Sequence, residues 1–421
     1  MNHPAPISGK PAVVVIGGGT GGMAVAACLR HASRDLDITV VDPAPFHHYQ
    51  PAWTLVGGGA YRAEDARRPL RDCLPAGVRH VAQAVVALRP EEWRVELAEG
   101  SSLEYDFLVV AAGIQLDWDA IEGLPEALGR DGVTSNYRYD LAPYTWELVR
   151  SLKEGDAVFT RPAGAVKCPG APLQALYLAA DHFRRSGVPV RTQFWSAGAS
   201  SFNIPFFARA LDQVLDSYGA GAHYGQALVQ VRAAERIAVF ESWTGGERIR
   251  EEVRYGMLHV VPPQSAPDFI RRSALADEAG WLAVDPRTLR HVRHANVFGL
   301  GDCTSTPNGK TATAIKGQVP VVVGNLLRAL QGRESSESYD GYAACPLATS
   351  RGKVLLAESV YGGAVAPSFP LDPRVPRRFY GWLKRSCLPW FYWNVLIRGR
   401  GLPAVHAVRG FPAETPASIR P

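Results

Sequence analysis

Two of the six cysteines stand directly before a proline, in surroundings that favour thiol redox chemistry. Cys168 lies in Val166-Lys-Cys-Pro-Gly-Ala-Pro172, and Cys345 lies in Ala344-Cys-Pro-Leu-Ala-Thr349. A predicted helix follows Cys168, and both Lys167 and the N-terminus of that helix would favour the thiolate, which is the nucleophilic form. The alternative is that both cysteines are small buried hydrophobic residues, the commonest role of a free cysteine.

The spacing of the cysteines excludes several other kinds of site. The chain has no Cys-x-x-Cys pair and no close cluster of histidines and cysteines, so it predicts neither a metal site nor the dense disulfide framework of a small secreted protein. Room remains for one long-range redox pair. Packing accounts for Cys28, Cys73 and Cys303, whereas Cys387 fits either packing or acylation.

A glycine-rich loop is the second chemical signal. An apolar run at 11–16 is typical of a strand buried on both faces, and an alanine-rich helical stretch follows the loop. Between them the sequence matches G-x-G-x-x-G at Gly17, Gly19 and Gly22. Gly17 permits a tight turn, Gly19 lets the backbone approach a pyrophosphate, and Gly22 lets helix and strand pack closely. The pattern predicts a dinucleotide-binding unit.

The segments that should surround this loop agree with it. A second apolar strand ends in Asp42, about 20 residues after the last glycine, where a carboxylate accepts hydrogen bonds from ribose hydroxyls. A strand at 107–113 ends in Gly113, and another at 296–302 ends in Asp302. A helix is expected to begin after Lys310.

This arrangement resembles the flavoprotein superfamily with two dinucleotide-binding domains. The resemblance implies that the 296–302 stretch returns to the first domain and that Asp302 contacts the ribityl or phosphate part of FAD. It also implies that the helix after Lys310 points its N-terminus at the flavin ring, where positive charge would stabilise the reduced form.

The corresponding loop of the second domain lacks the glycine fingerprint. Its strand is expected at 190–195, continuing into 196–200, where only Gly198 is present. Larger side chains at the other positions would hold the backbone away from a pyrophosphate. We therefore expect that nicotinamide is not the electron donor and that another reductant reduces the flavin.

The whole chain resembles the sulfide:quinone oxidoreductases of the mitochondrial type, which also occur in bacteria. The matching segments run in order: Val15-Ile-Gly-Gly-Gly-Thr-Gly-Gly22, His48-Tyr-Gln-Pro-Ala-Trp-Thr-Leu-Val-Gly57, Gly113-Ile-Gln-Leu-Asp117, Val166-Lys-Cys-Pro-Gly-Ala-Pro172, Met257-Leu-His-Val-Val-Pro-Pro263, Gly280-Trp281, Asp302-Cys-Thr-Ser-Thr-Pro307, Tyr339-Asp-Gly-Tyr-Ala-Ala-Cys-Pro-Leu347 and Trp393-Asn394. The chain departs from the family at Pro169, where alanine is common, and at Gln174, where lysine is common.

The resemblance implies a redox-active disulfide between Cys168 and Cys345 beside the flavin. Hydrosulfide attacks it by thiol–disulfide exchange, leaving a persulfide on Cys345 and a thiolate on Cys168. Two electrons pass from Cys168 to FAD and then to a membrane quinone. A small acceptor such as sulfite, glutathione, coenzyme A, cyanide or a growing polysulfide removes the sulfane sulfur.

The same resemblance identifies the residues that bind FAD. They are Gly17, Gly19, Thr20, Gly21, Gly22, Asp42, Gln50, Val85, Gly113, Asp302 and Lys310. Val85 is equally compatible with an ordinary core valine. We expect His47 and His48 to be structural histidines with satisfied hydrogen bonds rather than proton carriers.

The C-terminal stretch between 373 and 400 is basic and aromatic. Its seven basic residues, with no acidic one among them, are Arg374, Arg377, Arg378, Lys384, Arg385, Arg398 and Arg400. Interleaved apolar residues include Phe379, Tyr380, Trp382, Leu383, Leu388, Trp390, Phe391, Tyr392, Trp393, Leu396 and Ile397. Such a segment is typical of an amphipathic helix lying in a membrane interface, and its apolar runs are too short to span. The alternative is the aromatic core of a C-terminal helical pair.

The 421 residues correspond to two to three domains, and 47% apolar residues are enough for buried cores. We predict an α/β fold of two Rossmann-like dinucleotide-binding domains with a C-terminal amphipathic membrane-binding region. The expected boundaries are 1–120 and 270–330 for the FAD domain, 121–269 for the second domain, and 331–421 for the C-terminal region.

A net charge of +5 is too small to indicate a nucleic-acid partner, and the excess is concentrated in the basic C-terminal stretch. No signal peptide is recognised, so the expected location is peripheral, on the bacterial inner membrane. The expected partners are hydrosulfide, a membrane quinone, a small sulfur acceptor and the membrane surface, with room for a homo-oligomer. Two alternatives stay open: a flavin NADH:quinone reductase, and a degenerate flavoprotein acting as a redox-sensitive scaffold.

Overall fold

The computed structural model describes residues 9–401. Its strands are β1 (Ala12–Ile16), β2 (Asp37–Val41), β3 (Phe46–His48), β4 (Arg67–Pro69), β5 (Arg79–Val81), β6 (Val85–Arg89), β7 (Arg94–Leu97), β8 (Ser102–Glu104), β9 (Phe107–Val110), β10 (Gln115–Leu116), β11 (Val133–Thr134), β12 (Gly155–Arg161), β13 (Val190–Ser196), β14 (Gly221–Tyr224), β15 (Ala227–Arg232), β16 (Ile237–Thr244), β17 (Glu247–Arg254), β18 (Met257–His259), β19 (Gln264–Ser265), β20 (Val297–Gly299), β21 (Ala343–Ala348) and β22 (Val354–Ser359).

The α-helices are α1 (Thr20–Ala32), α2 (Trp53–Gly57), α3 (Leu70–Cys73), α4 (Leu124–Ala127), α5 (Leu141–Ser151), α6 (Ala171–Ser186), α7 (Pro205–Ser217), α8 (Asp268–Arg271), α9 (Ala312–Leu330), α10 (Arg378–Trp382) and α11 (Leu388–Phe391). Two π-helical turns, Leu383–Cys387 and Tyr392–Leu396, join and extend α10 and α11. The C-terminal segment therefore winds almost continuously from 378 to 396.

The first sheet is parallel and has the strand order β20-β9-β1-β2-β5. The valines of β1 explain its central position, because alternate side chains fill two different cores. Val13 and Val15 pack with the residues of α1 and α9, whereas Val14 and Ile16 pack with a cluster on the opposite face. A strand that buries both faces belongs in the middle of a parallel sheet.

One strand of this sheet comes from much later in the chain. β20 pairs with β9 in parallel, so the segment after the second sheet returns to the first. The loops after β1, β9 and β20 therefore meet at the same carboxyl edge, where open α/β sheets bind ligands.

The second sheet is also parallel, with the order β11-β18-β12-β13-β14. α6 and α7 cover one face through a core that includes Phe159, Phe194 and Leu211. The antiparallel strands β15 to β17 contribute Phe240 to a core on the other face. The predicted α/β class with two Rossmann-like domains is confirmed, while the exact domain boundaries stay predictions.

The C-terminal region packs against both halves of the molecule. The hairpin β21–β22 joins the core of α6 through Leu347 and Leu355. Further along, Tyr392 and Trp393 pack with residues of α1 to α3 in a separate core. Among residues 9–401, no helix is long and apolar enough to cross a membrane.

Candidate active site

The glycine loop joins β1 to α1 at the carboxyl edge of the first sheet. A Cβ on Gly22 would lie 1.8 Å from the carbonyl oxygen of Gly17, so only glycine allows this contact between strand and helix. A Cβ on Gly19 would have no protein atom within 4 Å, so this position faces open space. The loop thus presents bare backbone in front of the N-terminus of α1, which suits an anionic pyrophosphate.

Asp42 is attached to the same loop. Its carboxylate accepts hydrogen bonds from the backbone N–H of Gly18 at 2.6 Å and of Ala44 at 2.8 Å. Thr20 and Gly21 occupy the first turn of α1. The structure therefore brings together the glycines, Thr20 and Asp42 that the sequence predicts for one end of a dinucleotide.

Gly113 and Asp302 follow β9 and β20 at the same edge. Gly113 has φ of 72°, in the region that favours glycine, and a Cβ there would have no protein atom within 4 Å. Open glycine positions after two neighbouring strands of one sheet edge leave room for a dinucleotide such as FAD. Val85 begins β6 in another sheet and packs partly buried against the core below β1, so its predicted contact with FAD stays a prediction.

Cys168 and Cys345 lie side by side although they are far apart in sequence. Their sulfur atoms are 3.5 Å apart, and both are free cysteines in the structure. Cys168 is partly exposed in the loop before α6, and Cys345 is buried in β21. Because α6 and β21 share one core, the packing of these elements places the two sulfurs together.

The backbone at Cys168 is held in an unusual conformation. Its φ of 48° is left-handed, which is uncommon for a residue with a side chain. The Cys168 N–H donates to the carbonyl of Lys310 at 2.7 Å, and the Tyr137 hydroxyl donates to the carbonyl of Lys167 at 3.0 Å. Gln264 accepts from the N–H of Lys167 at 2.8 Å. Three separate segments therefore hold the loop that aims the Cys168 sulfur.

The two cysteines differ in acidity. The hydrogen bond from the Cys345 thiol lowers the pKa of Cys168, and the positive charges of Lys384 and Lys167 lower it further, although burial opposes them. The same hydrogen bond and burial raise the pKa of Cys345 well above its usual value. A thiolate therefore forms on Cys168 first, which is the sulfur that the resemblance assigns to electron transfer.

Lys384 corrects the prediction for the C-terminal stretch. From the sequence it is expected among the basic residues at a membrane surface, but its side chain is buried beside the cysteines. Its ammonium donates to the carbonyl of Pro346 at 2.7 Å and to the side-chain oxygen of Gln174, whose amide nitrogen lies 3.9 Å from the Cys345 sulfur. Burial lowers the pKa of Lys384, whereas the nearby sulfurs raise it. Helix winding turns this one residue inward.

Lys310 is a buried cation beside Asp302, and its backbone carbonyl accepts from the N–H of Cys168. Its ammonium donates to the carbonyls of Asp302 at 2.7 Å and Thr304 at 2.9 Å, and it lies 4.0 Å from the ring centre of Trp281. Burial lowers the pKa of Lys310. Burial has the opposite effect on a carboxyl group: it raises the pKa of Asp302, although the charges of Lys310 and Lys167 lower it.

Gln50 contacts the lysine that precedes Cys168. Its side-chain oxygen accepts from the Lys167 ammonium at 2.8 Å, and that ammonium also lies 5.2 Å from the ring centre of Trp53. Burial lowers the pKa of Lys167 to about 8. Tyr137 and Gln264, which hydrogen-bond to the backbone of Lys167, were not predicted from the sequence, because no local pattern marks either residue.

An arginine side chain holds the loop after β13 in the second sheet. Buried Arg161, at the end of β12, donates to the carbonyls of Ser201 at 2.9 Å and Ser200 at 3.4 Å, and to the side chain of Asn203. The guanidinium therefore occupies the backbone acceptors of the turn between β13 and α7. That nicotinamide is not the electron donor stays a prediction.

Comparisons with known proteins agree with this geometry. The family model described as pyridine nucleotide-disulphide oxidoreductase matches residues 11–158. The mitochondrial sulfide:quinone oxidoreductase of Dictyostelium discoideum is 42% identical over 393 residues, which cover 92% of this chain and 86% of that protein. The mouse protein of the same name is 37% identical over 390 residues, with the same coverage of 92% and 86%.

A solved structure shows the same fold. The sulfide:quinone oxidoreductase of Aquifex aeolicus superposes with a TM-score of 0.77 at 20% identity, covering 94% of this chain and 93% of that one. The identities to the curated relatives extend over most of both chains. By these similarities, the chain belongs to the sulfide:quinone oxidoreductase family.

Proposed function

We propose that this protein oxidises hydrosulfide at the Cys168–Cys345 pair and transfers the electrons through FAD to a membrane quinone. The observation that carries the proposal is the 3.5 Å contact between the two sulfurs, with Cys168 in a loop where its N–H donates to the carbonyl of Lys310. The proteins of this family depend on FAD, and the open glycine positions fit such a cofactor.

The sulfur step balances as a thiol–disulfide exchange starting from the oxidised pair. Hydrosulfide attacks the Cys345 sulfur, forms a new S–S bond there, and breaks the bond to Cys168, which leaves as a thiolate. The sulfur is thereby oxidised from sulfide to the sulfane level, and two electrons reside on Cys168. Lys384 and Lys167 stabilise the negative charge on Cys168, because both lower its pKa.

FAD supplies the two-electron carrier between Cys168 and the quinone. The chain's own groups prepare its site: the glycine loop and Asp42 hold the dinucleotide end, and Lys310 with Asp302 lies at the other. We assign the eleven predicted FAD-binding residues and both cysteines to these roles as a proposal. A small nucleophile, of the class of sulfite, glutathione, coenzyme A or polysulfide, removes the sulfane sulfur.

The membrane face is formed by the helical segment 378–396. Phe379, Trp382 and Trp390 are 47%, 52% and 63% exposed along the segment. Arg378 and Arg385 are exposed beside them. Aromatic rings flanked by arginines suit a headgroup interface, so we propose peripheral attachment through this face. The bacterial inner membrane and a homo-oligomer stay predictions; the relatives named mitochondrial make an organelle membrane the competing location.

The decisive experiment mixes the protein anaerobically with sulfide or with NADH and follows flavin absorbance. We expect bleaching by sulfide and none by NADH, because the loop after β13 has only Gly198 where a dinucleotide-binding loop has three glycines. Cys168→Ser and Cys345→Ser should each abolish the bleaching while FAD stays bound, because each removes one sulfur of the exchanging pair. Cys28→Ser is the matched control, since that thiol contacts Gly399 instead.

Three outcomes contradict the proposal. Bleaching by NADH alone would favour an NADH:quinone reductase. Sulfide turnover that is indifferent to both substitutions would exclude the cysteine mechanism, and absence of any quinone reduction would favour a redox-sensitive scaffold.

A further inference from the structure

Tyr392 lies at the far end of the chain from the glycine loop but contacts it directly. Its hydroxyl oxygen is 2.9 Å from the Thr20 hydroxyl and 2.7 Å from Nε2 of His47. The other ring nitrogen of His47, Nδ1, is 2.7 Å from the carbonyl oxygen of Gly18. One phenol therefore joins the C-terminal segment to both sides of the loop between β1 and α1.

The direction of these hydrogen bonds follows from the donors available. The Gly18 carbonyl can only accept, so Nδ1 of His47 carries a proton and donates. Burial lowers the pKa of His47 to about 4, so the imidazole is neutral and its Nε2 accepts from the Tyr392 hydroxyl at 2.7 Å; the same hydroxyl also lies 3.3 Å from its other acceptor, the His48 carbonyl. The Thr20 hydroxyl is then left to donate to the Tyr392 oxygen. The result is one ordered chain, Thr20 to Tyr392 to His47 to Gly18.

Apolar packing holds the phenol in place. Tyr392 is 2% exposed, and it shares a core with Met23 of α1, Trp53 of α2 and Leu70 of α3. Its ring centre lies 4.5 Å from that of Tyr49. Burial also raises the pKa of Tyr392, so the hydroxyl remains a neutral hydrogen-bond donor at physiological pH. A buried, fully paired network of this kind restricts the conformations of its members.

We propose that Tyr392 is a positioning residue for FAD. From its place in the helical segment 378–396, Tyr392 holds the glycine loop in the conformation that binds the cofactor. The proposal rests on FAD binding at the glycine loop. Tyr392 acts through Thr20 and the Gly18 carbonyl. The segment that presents Trp382 and Trp390 outward thus carries, further along, the side chain that closes the cofactor loop.

The test compares Tyr392→Phe with Tyr380→Phe in the full-length holoprotein. Tyr380 is equally buried in the same segment, and among residues 9–401 its hydroxyl makes no hydrogen bond. FAD release after dilution is followed by the rise of flavin fluorescence, without any substrate. We expect Tyr392→Phe to release FAD about five to ten times faster, the effect of losing one to two hydrogen bonds, and Tyr380→Phe to match the parent protein.

A second measurement separates positioning from general destabilisation. Amide hydrogen exchange should accelerate in the 17–22 loop of Tyr392→Phe and remain unchanged in the second sheet. A double-mutant cycle with Thr20→Val should show non-additive FAD release, because both changes break the same chain of hydrogen bonds.

Equal FAD release by the two phenylalanine variants, or strictly additive effects in the cycle, would overturn the proposal. Since none of these readouts uses sulfide, a failure here is distinguishable from a failure of the cysteine mechanism.

Discussion

At the scale of single residues, the chemistry depends on which of two adjacent sulfurs carries charge. The hydrogen bond between them and the lysines nearby lower the pKa of Cys168, whereas the pKa of Cys345 is raised. Lys384 is the buried cation on the Cys345 side, and it is held by Gln174 and the Pro346 carbonyl. Family members often have lysine at the position of Gln174; here an amide at that position holds an ammonium from another helix.

Replacing Lys384 by methionine should slow sulfide-driven flavin reduction at neutral pH. The positive charge lowers the pKa of Cys168, so its loss raises that pKa and leaves a smaller fraction of Cys168 as the thiolate that donates electrons to the flavin. We expect a decrease of about tenfold for each unit of pKa rise, recovered at higher pH as the thiol ionises. The measurement is the pH profile of the flavin reduction rate, whose acid limb should move to higher pH.

The matched control is Lys153→Met, which removes an exposed ammonium that donates to the Arg150 carbonyl in another part of the molecule. An unchanged pH profile in Lys384→Met would show that this lysine only fills space.

At the scale of elements, the glycine loop combines two separate requirements. Gly22 is needed by the protein itself, since any side chain would collide with the Gly17 carbonyl. Gly19 has extended backbone with φ of −73°, and its Cβ position is open, so the protein alone would tolerate alanine there. Gly22 therefore serves packing between β1 and α1, and Gly19 leaves room for a ligand.

The pair Gly22→Ala and Gly19→Ala should separate these requirements. Gly22→Ala should destabilise the fold by about 1–3 kcal/mol, the usual cost of overpacking, as measured by urea unfolding of the apoprotein. Gly19→Ala should unfold like the parent apoprotein but bind FAD at least about tenfold more weakly in a fluorescence titration. Normal FAD affinity in Gly19→Ala would contradict the placement of the cofactor at this loop.

The patterns of these elements were readable from the sequence because they are local. The valines of β1, the glycines after it and Asp42 after β2 lie within one βαβ unit, where periodicity and spacing report directly on structure. The helix predicted after Cys168 is α6, which begins at Ala171, and Pro172 is well accommodated in its first turn.

At the scale of the whole molecule, the C-terminal segment satisfies both interpretations of its sequence. Phe379, Trp382 and Trp390 point outward, as a membrane face requires. Tyr392 and Trp393 are buried, as an aromatic core requires. Deleting the segment would therefore remove Lys384 and Tyr392 together with the exposed rings, and only point substitutions can isolate attachment.

Trp382→Ser combined with Trp390→Ser should weaken binding to anionic lipid vesicles. Each ring is more than half exposed, so its loss leaves the fold intact but removes apolar area from the interface; we expect at least about a tenfold decrease in partitioning. Vesicle flotation measures the bound fraction. Trp243→Ser is the control, because Trp243 is 70% exposed on β16. Equal losses in the control would contradict the assignment of the membrane face.

The sequence by itself determined the dinucleotide loop, the α/β class, the two Cys-Pro cysteines and the amphipathic character of the C-terminal segment, since each depends on composition or short-range spacing. Only the tertiary structure decided that Cys168 and Cys345 are 3.5 Å apart. It also decided that Lys384 faces the sulfurs rather than the membrane, and that Tyr392 contacts Thr20. The physical reason is that these contacts join segments separated by many residues, and their geometry follows from how helices and sheets pack, which local patterns do not encode.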